Sequence, residues 1–435
     1  MGAAAPSTVD IRAKRLRTIT PPPPFLGWAR EAASLEGVDP ELALAFWRVL
    51  RRVRAWAETP PEERAGLFGA GKREAQERLG AACGHAPGLV EALGTFALLI
   101  RAPGEVDARR LSGACSQVHA WAEERSLLQV AMLFAEAAAY ADPDDPARAN
   151  DAGRMCRRAA EDERASSWYH RGYGLGVRRN DPTETIRAQI GYGNLMKDLG
   201  QYEEARKYFE RAARRAVHTG RRRESGEAHH SLLTIAAEQG LYIAGERHVR
   251  RALDLYPVRY FRLPALAHDL AVLLITCRFY SPAIRLLDLA VPRFQSPGAQ
   301  LVAWGNLARA AAGSRSLGRL GEAEWQILRL LGTDKEFAPA ALNSLAIGAQ
   351  VLEKWDEAER CASLALEMAR VRRDGGEERV ATNLLAQIAT HKTVPEEQDP
   401  PDLERLEALI GRFDSRLRKW KAPAEAEPGA YPAIV

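Results

Sequence analysis

Apolar residues in this chain recur every three or four positions, in stretches several turns long that are broken by Gly, Pro and Asp. This period predicts α-helices with one buried face. The segment 39–57 is an early example. Asp39 is placed to cap a helix, Pro40 fits its first turn, where a missing N–H costs nothing, and Leu42, Phe46, Trp47 and Leu50 supply apolar positions. From Phe25 to Arg101 such helices are irregularly spaced. Pro103-Gly104 punctuates the chain, and beyond it helices alternate with short turns at a regular interval. Ala108–Ala122 pairs with Ser126–Tyr140, and Pro146–Glu161 pairs with Arg164–Arg179. Strand-favouring Val, Ile and Thr are sparse beside Ala and Leu, so the expected fold class is all-α.

The interval is clearest between Ile186 and Ala212. There Gly193, Gly200, Tyr202, Ala205, Phe209 and Ala212 follow one another at spacings of 7, 2, 3, 4 and 3. The same frame returns as Gly240, Tyr242, Val249 and Ala252, closed by Pro257, and again as Tyr280, Ala283, Leu287 and Ala290. It continues as Gly318, Leu320, Ala323 and Ile327, and then as Trp355, Ala358, Ala362 and Ala365. The small residues after the turns are Ala205, Gly245, Ala283, Ala323 and Ala358, which gives periods of 40, 38, 40 and 35. Each period exceeds the about 34 residues of a standard two-helix repeat. Departures include Arg278 at a turn position where Gly is expected, and Ser281-Pro282 opening a second helix.

These residues and spacings resemble the tetratricopeptide repeat family in a long-period, bacterial-type form. The resemblance implies a right-handed α-α superhelix in which small residues let paired helices touch and large ones fill the space toward the next pair. On that reading residues 1–24, which end in Pro21–Pro24, are a disordered tail, 25–104 a less regular helical N-terminal region, and 105–395 the solenoid, with its clearest units in 186–390. In 401–420, Leu403, Leu406, Leu409, Ile410, Phe413, Leu417 and Trp420 form one apolar stripe, expected to cap the open end. Residues 421–435 read as a second disordered tail.

Composition narrows the function classes. The 61 basic and 57 acidic residues leave a net charge of +4, too balanced to demand nucleic acid. Arg211, Arg214, Arg215, Arg221, Arg222 and Arg223 cluster at one helix end, where cations oppose the dipole, without interleaved aromatics for base stacking. Nucleic acid is therefore not the expected partner. Five cysteines are scattered without a C-x-x-C pair, which suits a reducing cytoplasm. No leader or membrane-spanning run is evident, and the start lacks the Ser or Thr of a myristoylation signal.

Candidate chemistry is thin. Gly66–Arg73 approaches a phosphate-binding loop but ends in Arg73, which cannot hold magnesium, and a helix start rather than a strand precedes it. Gly172-Tyr173-Gly174-Leu175-Gly176 has the wrong spacing for a dinucleotide site. No metal-binding or nucleophile motif is present, so no catalytic residue, cofactor or metal is assigned.

The resemblance makes one sharper suggestion. His230 and His268 occupy the same place in successive first helices, a place the family turns toward its concave groove; Ile190 and Asn343 hold it in other units. Asn194, Lys197 and Arg309 fall at or beside other groove positions. Such a row of donors suits the carbonyls or carboxylates of an extended peptide. The expected function is a non-catalytic cytoplasmic scaffold or adaptor that binds a partner protein or peptide. The alternative is a ligand- or peptide-sensing regulator without its own DNA-binding domain. Replacing both histidines by Ala is expected to weaken capture without lowering helicity.

Overall fold

The computed structural model describes residues 37–69, 86–334, 336–372, 374–392 and 397–420, together with residues 35, 77, 79, 80 and 84. Both tails and the Ala70–Arg73 part of the phosphate-loop-like segment lie outside the described residues.

Helix α1 (Pro40–Glu58) begins where Asp39 accepts hydrogen bonds from the amides of Glu41 at 3.0 Å and Leu42 at 3.3 Å. These are two of the donors that a helix start leaves unpaired. After α2 (Val90–Arg101), pairs follow in order. They are α3 (Ala108–Glu124) with α4 (Leu128–Ala141), α5 (Pro146–Arg158) with α6 (Asp162–Arg178), and α7 (Pro182–Asp198) with α8 (Tyr202–His218). Next come α9 (Arg222–Glu238) with α10 (Tyr242–Leu255), α11 (Leu263–Thr276) with α12 (Tyr280–Ala290), and α13 (Pro297–Gly313) with α14 (Leu317–Leu330). Last are α15 (Ala338–Val351) with α16 (Trp355–Arg372), the unpaired α17 (Gly375–Ala389), and α18 (Leu403–Arg418). There is no strand among the described residues.

Several pairs turn through a left-handed residue. Gly200, Gly220 and Gly240 supply it with φ of 73°, 69° and 64°. Arg278, where the repeat frame expects Gly, adopts the same conformation at φ 63°. The pair geometry thus survives the substitution.

Small residues set the helix spacing. A Cβ on Gly193 would lie 2.5 Å from Cε1 of Phe209, so the α8 ring rests directly on the α7 backbone. Tyr169 is held in the same way between Gly153 and Gly191, whose added Cβ atoms would meet its ring at 2.9 and 2.2 Å. Gly193→Val is expected to lower stability by about 1–3 kcal/mol, because the core must shift to admit the new side chain. A smaller loss of unfolding free energy in urea titration would show that Phe209 relaxes freely.

From α5 onward first helices touch the first helices of neighbouring pairs, whereas successive second helices make little contact. This asymmetry bends the array so that first helices form its inner layer. The curve brings distant parts together: Ser126 donates to Asp334 at 2.6 Å, and Arg158 bonds Glu336 through Nε at 3.0 Å and Nη2 at 2.7 Å. The array is a superhelix that comes round onto its own beginning.

The N-terminal helices join this body. Phe46 of α1 meets Phe134 edge-on at 5.1 Å and Trp121 at 5.8 Å, and the Trp56 indole donates to the Pro103 carbonyl at 2.8 Å. A local irregularity follows α13, which packs closely on α15. A Cβ on Gly305 would sit 3.1 Å from Cα of Ala341. Helix α14 is left to one side, and its Leu317, Trp325 and Leu328 are more than half exposed.

The expected cap at 401–420 is corrected by the structure. Helix α18 folds back onto the middle of the array, against α11 and α12, with Leu406, Leu409, Ile410, Phe413 and Leu417 buried there. Its stripe is covered there by the apolar surface of α11 and α12. Among the described residues no helix is long and apolar enough to cross a membrane.

Candidate functional site

Of the polar row expected in the groove, His230, His268 and Asn343 lie between helices, and Asn150 shares their place in the repeat. Asn150, His230, His268 and Asn343 stand fifteen residues before Ala165, Gly245, Ala283 and Ala358, the small residues of their second helices. Because first helices touch, side chains at this place meet the next first helix rather than open space. Asn150 donates to the Glu184 carboxylate at 2.8 Å, and Asn343 donates to that of Glu377 at 2.7 Å. Burial pushes the Glu377 carboxyl up to about 7, against the Asn343 hydrogen bond that favours its ionised form.

The two histidines are joined through a carboxylate. His230 Nε2 lies 2.7 Å from Asp269 Oδ2, and His268 Nδ1 lies 2.9 Å from Asp269 Oδ1. On the outer sides, His230 Nδ1 is 2.9 Å from the Tyr256 hydroxyl, and Asn306 Nδ2 is 3.1 Å from His268 Nε2. The partners assign the protons. An ionised Asp269 only accepts, so His230 carries hydrogen on Nε2 and His268 on Nδ1, and their other nitrogens accept from Tyr256 and Asn306. Each ring is thereby satisfied while neutral.

Burial would raise the Asp269 pKa, but hydrogen bonds from His230 and His268 outweigh it and hold the carboxyl far below the usual range. Desolvation lowers that of His230, opposed by Asp269. His230 and His268 are 3% and 1% exposed, so their nitrogens are spent inside the chain. The expectation that they read a peptide in the groove is corrected accordingly, and substituting them is expected to cost stability rather than capture alone.

The other candidates are placed differently. Asn194 is half-buried and has no side-chain hydrogen bond among the described residues. Lys197 pairs with its neighbour Asp198, at 3.4 Å. Arg309 is half-buried with no hydrogen bond or salt bridge among the described residues, and burial lowers its pKa. Ile190 is buried. These residues sit on separate first helices, α7 and α13, and are not gathered into one cluster.

Sequence reasoning missed Asp269, Tyr256 and Asn306. A signal for Asp269 existed: His268-Asp269 is a polar pair in the otherwise apolar Leu263–Thr276 helix. The glycine run at 172–176 lies within α6, where a Cβ on Gly172 would meet Asn150 Oδ1 at 2.2 Å, so packing explains it. Within the basic run, Arg211 stacks on Tyr208, Arg214 pairs with Glu210, and Arg215 donates to Tyr173. Among the described residues no group of three or more His, Cys, Asp or Glu is placed to hold a metal.

No family model and no curated protein matches this sequence. Solved structures with related arrangements share little sequence. PilF of Pseudomonas aeruginosa is 18% identical over 52% of this chain and 94% of its own, with a TM-score of 0.35. The Cut9–Hcn1 hetero-tetramer of the APC/C is 16% identical over 82% and 64%, with a TM-score of 0.45. The Rap protein complexed with Competence and Sporulation Factor is 12% identical over 81% and 99%, with a TM-score of 0.47. It is the helix pairing, the left-handed turn residues and the glycine-to-ring contacts of the chain itself that define the fold: an all-α superhelix of tetratricopeptide-like repeats.

Proposed function

We propose that the protein is a non-catalytic scaffold that takes a segment of another protein against its inner, first-helix layer. The observation that carries this reading is Arg309, a partly desolvated cation on that layer with no hydrogen bond or salt bridge among the described residues. Asn194 supports it as a second half-buried polar group without an internal hydrogen bond. Burying polar groups unpaired is costly, and a partner's carbonyls or carboxylates would satisfy both. Lys197 adds a donor beside Asn194, shared with Asp198.

A triple variant, Asn194→Ala with Lys197→Ala and Arg309→Ala, tests the assignment. Affinity capture is expected to lose the proteins that the unmodified chain retains, while far-UV circular dichroism stays unchanged. Retention of the same set by the variant would remove the inner layer from consideration.

A further inference from the structure

A second site lies away from the inner layer, where α10 meets the start of α18. A cleft of about 350 Å³ opens there, lined by His229, His248, Arg247, Arg250, Arg251, Arg405 and a single carboxylate residue, Asp254. We propose that this cleft binds a phosphate group, carried either by a small phosphorylated metabolite or by a phosphorylated side chain.

The charge balance points that way. The buried Glu246 is shared by two cations, accepting from Arg250 Nε at 2.8 Å and from Arg405 Nε at 2.6 Å. Arg250 also donates to the Arg405 carbonyl at 2.7 Å, which fixes both guanidinium groups at the cleft wall. The Asp254 carboxylate is engaged by Arg412, and its carbonyl by Arg222 at 3.2 Å. That leaves Arg247 and Arg251 without a hydrogen bond or salt bridge among the described residues. They stand one helical turn apart, a spacing at which like charges repel. A doubly charged oxyanion between them would remove that repulsion, and guanidinium forks match phosphate geometry.

The histidines complete the lining. The rings of His229 and His248 stack with centroids 5.4 Å apart and an interplanar angle of 26°, and their Nδ1 atoms are 3.2 Å apart. Such a contact needs one Nδ1 protonated and one bare, and with both rings neutral the pair offers one outward N–H. Burial, with Arg247 nearby, holds each near 4, so the histidines do not add to the positive charge until an anion is bound.

Helix α18 supplies Arg405 to the lining, and its Arg412 engages Asp254. The site therefore draws one of its cations from α18, and the others from α10.

Calorimetric titration of the full chain at low salt with inorganic pyrophosphate, and separately with O-phosphoserine, tests the proposal. Saturable one-to-one binding of either probe is expected, weakened at least tenfold by Arg247→Gln with Arg251→Gln. The control Arg214→Gln, whose side chain pairs with Glu210 elsewhere, is expected to leave binding unchanged. Pyrophosphate binding alone assigns the site to free phosphorylated metabolites, and phosphoserine binding assigns it to modified side chains. Binding of neither probe, or equal affinity in the double variant with an unchanged melting curve, overturns the proposal.

Discussion

Asp269→Ala is expected to destabilise the fold by about 3–5 kcal/mol, because it removes the common acceptor of two buried histidines and leaves both N–H groups unpaired. Asp269 is 1% exposed and ties α9 to α11 through His230 while bonding His268 on its own helix. Asp269→Asn keeps the volume but presents a donor to one ring, so that ring must switch tautomer and its outer partner, the Tyr256 hydroxyl or the Asn306 amide, must reorient to accept; its expected loss is smaller but in the same direction. The pH profile provides an independent check. The folded-state pKa of His230 lies below its unfolded value, so its neutral form contributes stability that is present above pH about 6.5 and is lost as the pH falls below it. Asp269, also lowered, adds stability that is present above about 3.9 and is lost below that value. Both groups weaken the fold on the acid side. Urea unfolding followed by far-UV circular dichroism measures each effect, and a loss under about 1 kcal/mol for Asp269→Ala would mean that water or a neighbouring side chain takes over the acceptor role.

The helical architecture was legible because it rests on local period and on a small-to-large alternation. Gly193 against Phe209 can be read from spacing alone, and the structure places that ring on that glycine. The site was less legible, for a geometric reason. A repeat frame fixes which residues are equivalent, but not whether equivalent residues face solvent or the next helix. His230 and His268 are equivalent, and what decides their role is the acceptor contributed by Asp269 together with donors from Tyr256 and Asn306. Only Asp269 had a visible mark, as a charge in an apolar helix. The place of α18 was illegible for a similar reason. Its stripe shows that it must be covered, while its seat is marked by carbonyls near the end of α10 that no periodicity reports.

That seat predicts how α18 comes off. Phe413 is fully buried beneath α18, so Phe413→Ala removes a ring from the α11–α12 surface and is expected to cost about 3–5 kcal/mol of docking energy. The remaining ties are the buried Leu406, Leu409, Ile410 and Leu417 and a set of polar contacts. Arg416 donates to the carbonyls of Leu253 and Tyr256, the Trp420 indole donates to the Tyr260 carbonyl at 3.1 Å, and Arg293 donates to the Leu417 carbonyl at 3.0 Å. Hydrogen bonds of this kind contribute modestly once water can replace them, so they are not expected to hold the helix alone. Amide exchange in 403–418 should therefore accelerate well before exchange in α5–α8, whose buried cores do not include Phe413. Equal acceleration throughout would show instead that α18 is a cooperative part of the whole array. Slow exchange retained in 403–418 would show that the rest of the stripe and the polar contacts hold α18 without the Phe413 ring.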